Sequence, residues 1–515
     1  MLLNRHFLNP QNVIGHLYDD TEAHRNNEKK MKKGLLLILT ILATNYVYSQ
    51  NCSCSDIFVW LKETIEKNDA GFQYVIDLKG EAEYKKHSDS YIEKVKSIKD
   101  KNECAETLAD WLRFFRKGHL WFGVNFDKNL KDNSNQADIE KIKRQFKNWE
   151  TYPYQEKEFN TYISKIKEPG LEGIWTTPPY TIGVRKVKNE YIGFIIEADG
   201  IYWSKSQVKF KIKNENGKLT ATYYMQDHSA KEMKDVALLG NNYLQMDWVT
   251  LKRVKPTFPA DKSLDMYFKF LTTDIPIFEK LNDNTAILRI PSFSHSEKKL
   301  IDSVIDANRN IILSTENLII DLRYNGGGSD ESFEKLLPII YTNPIRTVGV
   351  ELLSTPLNNQ RMVDFMSNPD FSEEDKKWAK DALEKLNKHI GEFVNIDSTN
   401  VTIETYDTIY PYPKNVGIII NEGNGSTTEQ FLLAAKQSKK VKLFGTTTVG
   451  VLDISNMYFI NSPCNDYKLG YSLSRSKRIP DFTIDDKGIQ PDYYIDKTIS
   501  KYDWIDFVNK ILSNQ

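Results

Sequence analysis

The segment from Val416 to Val451 places an apolar strand, a glycine-rich turn and an apolar helix in succession. Residues 416–420 (VGIII) are apolar without alternation, which predicts a strand covered on both faces. The glycines that follow permit a sharp, close-packed turn, and Ser426 falls where that turn becomes the helix. Its hydroxyl is therefore expected near unpaired backbone N–H groups and the positive end of the helix dipole. That position suits an acyl-transfer nucleophile, and it equally suits an ordinary N-cap serine.

A second apolar strand, residues 317–322, leads to the triple glycine Gly326–Gly328. Bare backbone after a strand can bring N–H groups close to a bound carbonyl or phosphate. The chain has no Gly-x-x-x-x-Gly-Lys-Ser/Thr motif, and the triple glycine does not fit Gly-x-Gly-x-x-Gly, so the sequence does not predict a nucleotide site. Asp321 and Arg323 are expected to form a structural pair at the strand end.

Together these two segments resemble the C-terminal processing (tail-specific) serine peptidases. The resemblance continues through Phe444–Gly450 (FGTTTVG) and Asp485–Asp492 (DDKGIQPD), and it covers roughly Leu264 to Asp492. It implies an α/β fold with the ClpP/crotonase-like layered core. It also implies a peptide or protein substrate, and neither a metal nor an organic cofactor.

The resemblance assigns the nucleophile to Ser426, three residues before the glutamate that opens the helix, Glu429. This glutamate is expected to interact with the helix N-terminus. The bacterial and plastid members of the family place a general-base lysine where this chain has Val451. The tricorn-like branch lacks that lysine and uses a histidine from an N-terminal segment with a carboxylate from the final loop. This sequence is similar to that branch.

His119 is the histidine that the resemblance selects, in a turn similar to the family's Asp-Gly-His, with Lys117 in place of the aspartate. A lone histidine is most often structural, but a neutral imidazole can accept and return a proton near neutral pH. Three other histidines precede the expected mature start, and four lie in polar surroundings typical of solvated positions: His6, His16, His24; His87, His228, His295 and His389.

Two further groups complete the expected site. Asp485, or its neighbour Asp486, matches the family's acidic position and would orient the histidine, although both also suit a solvated turn. The N–H groups of Thr427 and of Gly327 or Gly328 would form the oxyanion hole, since bare backbone at these turns can donate to a developing negative charge.

Composition and the N-terminal segment favour an exported protein over a nucleic-acid binder. The 515 residues carry a net charge of −1 and show no basic block interleaved with aromatic residues. Met31-Lys32-Lys33 followed by the apolar run 34–43 is typical of a signal peptide, with cleavage expected after Ser49 and Met31 as the true start. The product is then secreted or periplasmic, without stable membrane insertion. An uncleaved anchor is the alternative.

The cysteines indicate disulfides, which export permits. Cys52-x-Cys54 is a poor zinc signature because no second pair of ligands follows at suitable spacing. Cys104 is expected to pair with Cys54 or Cys52 and to tie two helices together, while Cys464 stands apart. Closing such a loop contributes on the order of 3–4 kcal/mol in the chain-entropy model.

A chain of this length is expected to form two or three domains. Residues 170–256 contain short β-rich runs separated by turns, which predicts a small antiparallel β barrel or sandwich in place of the PDZ domain that processing peptidases usually carry. A charged helix is expected at 372–392. The predicted organisation is a leader (1–49), a helical cap (50–125), a polar linker with one helix (126–169), the β module (170–256) and the catalytic core (260–515).

The sequence thus predicts an exported serine endopeptidase that forms an acyl-enzyme on Ser426 with His119 as general base. Two alternatives stay open. One is a catalytically inactive relative that binds peptides or other ligands, which the valine at position 451 favours. The other is a crotonase-like acyl-thioester enzyme, which leaves the serine unexplained.

Overall fold

The computed structural model describes residues 52–125, 136–369 and 371–514. Two compact units are formed, one from residues 52–125, 274–496 and 508–514 and the other from residues 136–273 and 497–507. The expected signal peptide and its cleavage site lie outside the described residues. Among the helices that are described, none is long and apolar enough to cross a membrane.

Helices dominate the N-terminal part of the first unit. The elements are α1 (Cys54–Asn68), α2 (Phe72–Lys79), α3 (Glu81–Val95), α4 (Lys101–Leu112) and β1 (Trp121–Val124). α1 begins at a capping box, in which the side chains of Ser53 and Asp56 each accept the other's backbone N–H. Its apolar face packs on α4, where the rings of Phe58 and Trp111 meet edge to face with centroids 5.3 Å apart.

Two disulfides hold this segment. Cys54 pairs with Cys104 and joins α1 to α4, which is one of the two pairings that the sequence left open. Cys52 pairs with Cys464, a partner 412 residues away that no local spacing could predict. Both bonds are compatible with an exported protein, because disulfides persist in oxidising compartments.

The second unit is built around a nine-stranded antiparallel sheet. Its elements are α5 (Gln136–Phe146), α6 (Glu156–Ile163), β2 (Gly173–Thr177), β3 (Tyr180–Val187), β4 (Glu190–Glu197), β5 (Val208–Glu215), β6 (Lys218–Tyr224), β7 (Ala230–Met233), β8 (Val236–Leu239), β9 (Tyr243–Met246), β10 (Val249–Lys255) and α7 (Lys262–Leu271). The strand order is β7-β6-β5-β4-β3-β2-β10-β9-β8. The last strand along the chain, β10, pairs with the first, β2, and the sheet is nearly closed. The predicted small antiparallel β module is confirmed.

Differences from the sequence prediction in this unit have local causes. The strands β7 to β9 have four residues each, too few for alternation to be recognised. The polar segment before the sheet holds two described helices instead of one, because Phe159 and Ile163, four residues apart, give the short helix α6 a buried face. His228 is not solvated as expected: its ring is buried and stacks on Trp203 with centroids 3.8 Å apart.

The chain from residue 274 onwards supplies the other elements. These are β11 (Ile277–Lys280), β12 (Thr285–Arg289), α8 (Lys298–Ile312), β13 (Asn317–Asp321), α9 (Leu337–Ile340), β14 (Ile345–Val348), β15 (Val350–Leu353), α10 (Pro356–Ser367), α11 (Glu373–Asn387), β16 (Phe393–Val394), β17 (Val401–Glu404), β18 (Asn415–Ile420), α12 (Thr427–Ala435), β19 (Val441–Gly445), β20 (Ile454–Asn461), β21 (Tyr467–Ser476), β22 (Tyr493–Tyr494) and α13 (Trp504–Leu512). Short 3-10 helices cover His295–Glu297 and Asp330–Leu336.

A six-stranded sheet, in the order β11-β12-β13-β18-β19-β22, forms the centre of the first unit. Strands β12, β13, β18, β19 and β22 are parallel, and β12 and β13 are buried along their whole length. The two apolar strands of the sequence analysis, β13 and β18, are direct neighbours. Their carboxyl ends therefore meet at one edge, and the two glycine-rich turns follow there. The predicted α/β class is confirmed.

A second sheet brings the N-terminal segment to this edge. β21 pairs with β20 along one side and with β1 and then β15 along the other. His119 precedes β1 by two residues, so the pairing of β1 with β21 fixes the backbone that carries it.

Candidate active site

Ser426 occupies a strained turn between β18 and α12. Its backbone has φ 54° and ψ −125°, a region that costs a non-glycine residue on the order of 1–3 kcal/mol. The position is that of an N-cap, but the side chain makes no capping hydrogen bond. The Ser426 N–H donates to the Val451 carbonyl at 3.0 Å. The turn therefore presents the hydroxyl away from the helix end that it would otherwise cap.

The imidazole of His119 lies against this hydroxyl. Its Nε2 is 3.0 Å from Ser426 Oγ, and its Nδ1 is 2.6 Å from the carbonyl oxygen of Ile454. Because a carbonyl only accepts, Nδ1 must carry the proton, and Nε2 is left with a lone pair facing the serine. This is the tautomer that a general base requires.

The protonation state of His119 favours the same role. The residue is only part-exposed, and burial lowers the pKa of its imidazole to about 4, with the nearby Arg116 guanidinium also lowering it. The Ile454 carbonyl acts in the opposite direction, because it stabilises the N–H that it accepts. The ring is therefore neutral at physiological pH.

A buried ion pair holds the turn that carries the histidine. Arg116 donates to both carboxylate oxygens of Asp69, at 2.7 and 2.5 Å, and also to the carbonyl oxygen of His119 at 3.1 Å. The hydroxyl of Ser472 donates to the same carbonyl at 3.1 Å, and the Ser472 N–H donates to Asp69. Two groups thus fix the backbone of His119, whose φ is 55°.

Val451, the residue in the lysine position, fills the space between the two turns. A Cβ on Gly118 would lie 2.5 Å from Val451 Cγ1, and a Cβ on Gly425 would lie 2.7 Å from Val451 Cγ2. The side chain therefore contacts the residues that immediately precede His119 and Ser426. Glycine is required at both positions by this close approach.

The two predicted aspartates have different surroundings. Asp485 accepts the N–H groups of Leu452, Asp453 and Ile454 at 2.5, 2.6 and 3.1 Å, and burial raises the pKa of its carboxyl. Among the described contacts it makes no hydrogen bond with the imidazole. It instead fixes the segment whose Ile454 carbonyl binds His119. Asp486 is largely exposed and forms an ion pair with Lys117 at 3.4 Å.

The sequence analysis did not identify two groups that contact Asp485 or His119. Asp453 is buried, accepts the N–H of Asp485 at 2.9 Å and pairs with Arg478 Nε at 3.0 Å. The Ile454 carbonyl was also missed, because a backbone acceptor has no side-chain signature. The pairing of Asp321 with Arg323 is as expected, with a hydrogen bond of 2.7 Å.

Two backbone N–H groups lie in the turns that meet at Ser426. Within the described residues, the N–H groups of Thr427 and Gly328 have no hydrogen-bond partner. The N–H of Gly327 instead donates to Asn325 Oδ1 at 3.0 Å, so of the two predicted glycines only the second has its N–H available. A Cβ on Gly327 would lie 2.8 Å from both Ser426 Cβ and Thr427 N, which shows how closely the two turns meet.

Glu429 lies in the first turn of α12, where the sequence analysis expected it, and its carboxylate reaches the segment that follows β19. Its buried carboxylate accepts the Thr448 hydroxyl and the N–H groups of Gly450 and Val451, the latter two at 2.8 Å. Burial raises the pKa of this carboxyl, while the three hydrogen bonds act in the opposite direction. The contacts position the segment that carries Val451 beside the serine.

Solved structures with a similar course of the chain share little of its sequence. Mature CPAF is 12% identical with a TM-score of 0.48, and the alignment covers 89% of this chain and 96% of that one. The photosystem II D1 C-terminal processing protease is 10% identical with a TM-score of 0.37, over 90% and 97%. The tricorn protease is 12% identical with a TM-score of 0.40, over 90% of this chain and 37% of that one.

No curated protein matches the chain. The model of a peptidase family, described as Peptidase family S41, matches residues 284–495. This range begins at β12 and ends beyond the Asp485–Asp492 motif, so it contains every predicted site residue except His119. Residues 284–495 of the chain belong to Peptidase family S41, the C-terminal processing peptidases that the sequence motifs resemble.

Proposed function

We propose that this protein is an exported serine endopeptidase whose nucleophile is Ser426 and whose general base is His119. The observation that supports this most is the 3.0 Å contact between Ser426 Oγ and the unprotonated Nε2 of His119. The valine in the lysine position favours an inactive relative only if no other base is present. A histidine in the correct tautomer supplies that base, as in the tricorn-like branch.

In the proposed acylation step, Oγ attacks the peptide carbonyl carbon and its proton passes to Nε2. The N–H groups of Thr427 and Gly328 stabilise the oxyanion. The C–N bond then breaks, and Nε2 returns the proton to the leaving amine. In deacylation a water molecule attacks the ester carbonyl and gives its proton to the same nitrogen. The bond between the acyl carbon and Oγ then breaks, and Nε2 returns the proton to Oγ, which releases the acid and regenerates the serine hydroxyl.

Asp485 is a positioning residue in this mechanism. It holds the N–H groups of residues 452–454, and the Ile454 carbonyl in turn holds Nδ1–H. The imidazolium formed in the transition state is stabilised by that carbonyl and not by direct contact with a carboxylate. Export is supported by the two disulfides together with the signal-like leader.

The proposal is tested with a fluorophosphonate probe and a peptide library. Wild-type protein should label once, on the peptide that contains Ser426, and should cleave peptides at internal bonds detected by mass spectrometry. Ser426→Ala should abolish both signals, while Ser303→Ala, a change at an exposed helix serine, should leave both intact. His119→Ala should lower both rates by roughly 10²–10⁴-fold with folding unchanged. A wild-type protein that neither labels nor cleaves would refute the proposal.

A further inference from the structure

One face of the sheet that carries the His119 turn is apolar and exposed. In the antiparallel register Trp121 and Phe459 both stand opposite Gly470, from the two strands that flank β21. Residues directly opposite in such a sheet project from the same face. Trp121, Gly470 and Phe459 therefore form one row across β1, β21 and β20. Met457, two residues before Phe459, projects from that face as well.

The glycines of this face allow the rings to lie over the backbone. A Cβ on Gly470 would lie 2.6 Å from Phe459 Cε1 and 2.8 Å from Met457 Cε, and a Cβ on Gly123 would lie 2.7 Å from Trp121 Cζ2. The ring centroids of Trp121 and Phe459 are 6.3 Å apart, and Trp121 remains 44% exposed. Met457 and Phe459 are half-buried beside it, so the apolar row is only partly covered.

The opposite face of the same strands explains why this exposure is not a packing requirement. Phe122, Leu469 and Tyr471 point the other way and are buried against the helices of the N-terminal segment. The core of this region is therefore complete without Trp121. With Met457 and Phe459 it forms one contiguous apolar patch, and such patches mark interaction surfaces.

This surface is continuous with the candidate catalytic groups. Ser472 lies two residues from Gly470 on β21, which is about 7 Å along a strand, and its hydroxyl binds the His119 carbonyl. Trp121 follows His119 by two residues. Met457 follows Ile454, the acceptor of Nδ1–H, by three residues. The three side chains thus follow along β1 and β20 from the backbone of His119 and from Ile454, whose carbonyl binds the imidazole.

We propose that Trp121, Met457 and Phe459 form a substrate-binding surface for a large apolar or aromatic side chain of an extended polypeptide, close to the scissile bond. The assignment of a polypeptide as the ligand of this surface rests on the proposed peptidase function. Aromatic rings and a flexible thioether supply contact area without requiring one exact shape. Lys468, on the same face with its Nζ 5.4 Å from the Phe459 ring, makes the rim positive, so an acidic neighbour in the substrate is favoured.

The test compares kcat/KM for matched peptides that differ at one position, with Phe, Leu, Ser or Lys near the cleaved bond. Trp121→Ser and Phe459→Ser should each lower kcat/KM for the Phe and Leu peptides by about tenfold or more, and change it little for the Ser peptide. Trp248→Ser, at an exposed tryptophan in the turn between β9 and β10, is the matched control and should change none of them. Lys468→Glu should reverse the preference between peptides with Glu and Lys neighbours.

The probe separates the two levels of the proposal. If the variants label at the wild-type rate and lose discrimination between apolar and polar peptides, the surface is the substrate site. If they label at the wild-type rate and keep their discrimination, this inference is wrong and the proposed function stands. Absence of labelling in wild type overturns both. Should the Phe459 variant unfold, Trp121→Ser and Lys468→Glu at exposed or rim positions decide the result.

Discussion

The acid limb of the pH–rate profile is the sharpest expectation for this site, because it depends on the environment of one imidazole. Only the neutral form of His119 can accept the serine proton, so the rate follows the neutral fraction. An ordinary histidine has a pKa near 6.5, whereas burial lowers that of His119 to about 4. On acidification from pH 7.5, the rate should therefore fall at a much lower pH than in an enzyme whose general-base histidine is exposed to solvent.

The size of the effect follows from the two pKa values. At pH 5.5 a histidine with a pKa of 6.5 is neutral in roughly a tenth of molecules, and one with a pKa of about 4 in nearly all of them. The same difference affects stability. Because the folded state binds the proton less readily than the unfolded state, the free energy of unfolding falls as pH drops from 6.5 towards 4. The loss for this group is about 3 kcal/mol, on the scale of 1.36 kcal/mol for each pH unit.

The assay is the rate constant of fluorophosphonate labelling between pH 4.5 and pH 8, because the neutral probe does not titrate there. One neighbouring group requires a control: burial raises the pKa of Asp330 to about 6, and its carboxyl hydrogen-bonds the Thr427 side chain. A limb near pH 6 that disappears in Asp330→Asn belongs to that carboxyl. A limb near pH 6.5 that persists in Asp330→Asn would refute the buried environment assigned to His119.

Two further changes test how the site is held. Asp69→Ala leaves the Arg116 guanidinium buried without its carboxylate partner, and should lower the free energy of unfolding in urea titrations by about 3–5 kcal/mol. The control is Arg113→Ala, at the exposed ion pair with Asp110, which should lower it by less than about 1 kcal/mol. Asp485→Ala removes the acceptor of three N–H groups that position Ile454. The labelling rate should therefore fall by at least about tenfold, while the midpoint of the pH–rate profile is unchanged. An unchanged rate would show that residues 452–454 hold their position without the carboxylate.

Much of the core of the site could be predicted because its signals are local. The apolar strands ending at Asp321 and Ile420 lack alternation, and glycine-rich turns follow both, so their neighbouring placement in a buried sheet agrees with the pattern. Ser426 was located by its distance from Glu429 in the motif. The N-cap alternative was left open because spacing alone does not give φ and ψ.

Other features depend on contacts between distant parts of the chain. The Cys52–Cys464 bond and the Arg116–Asp69 pair join residues whose proximity no sequence period encodes. The Ile454 carbonyl has no side-chain identity to read at all. The sequence could not show whether Gly327 or Gly328 has an available N–H group. That depends on Asn325, whose Oδ1 accepts the N–H of the first glycine.

The valine at position 451 is the residue whose meaning changes most between sequence and structure. Taken alone it indicates the loss of a lysine base. In the structure its γ-carbons occupy the narrow space between Gly118 and Gly425, and its carbonyl accepts the N–H of Ser426. The valine side chain is therefore part of the contact between the turn that carries His119 and the turn that carries Ser426.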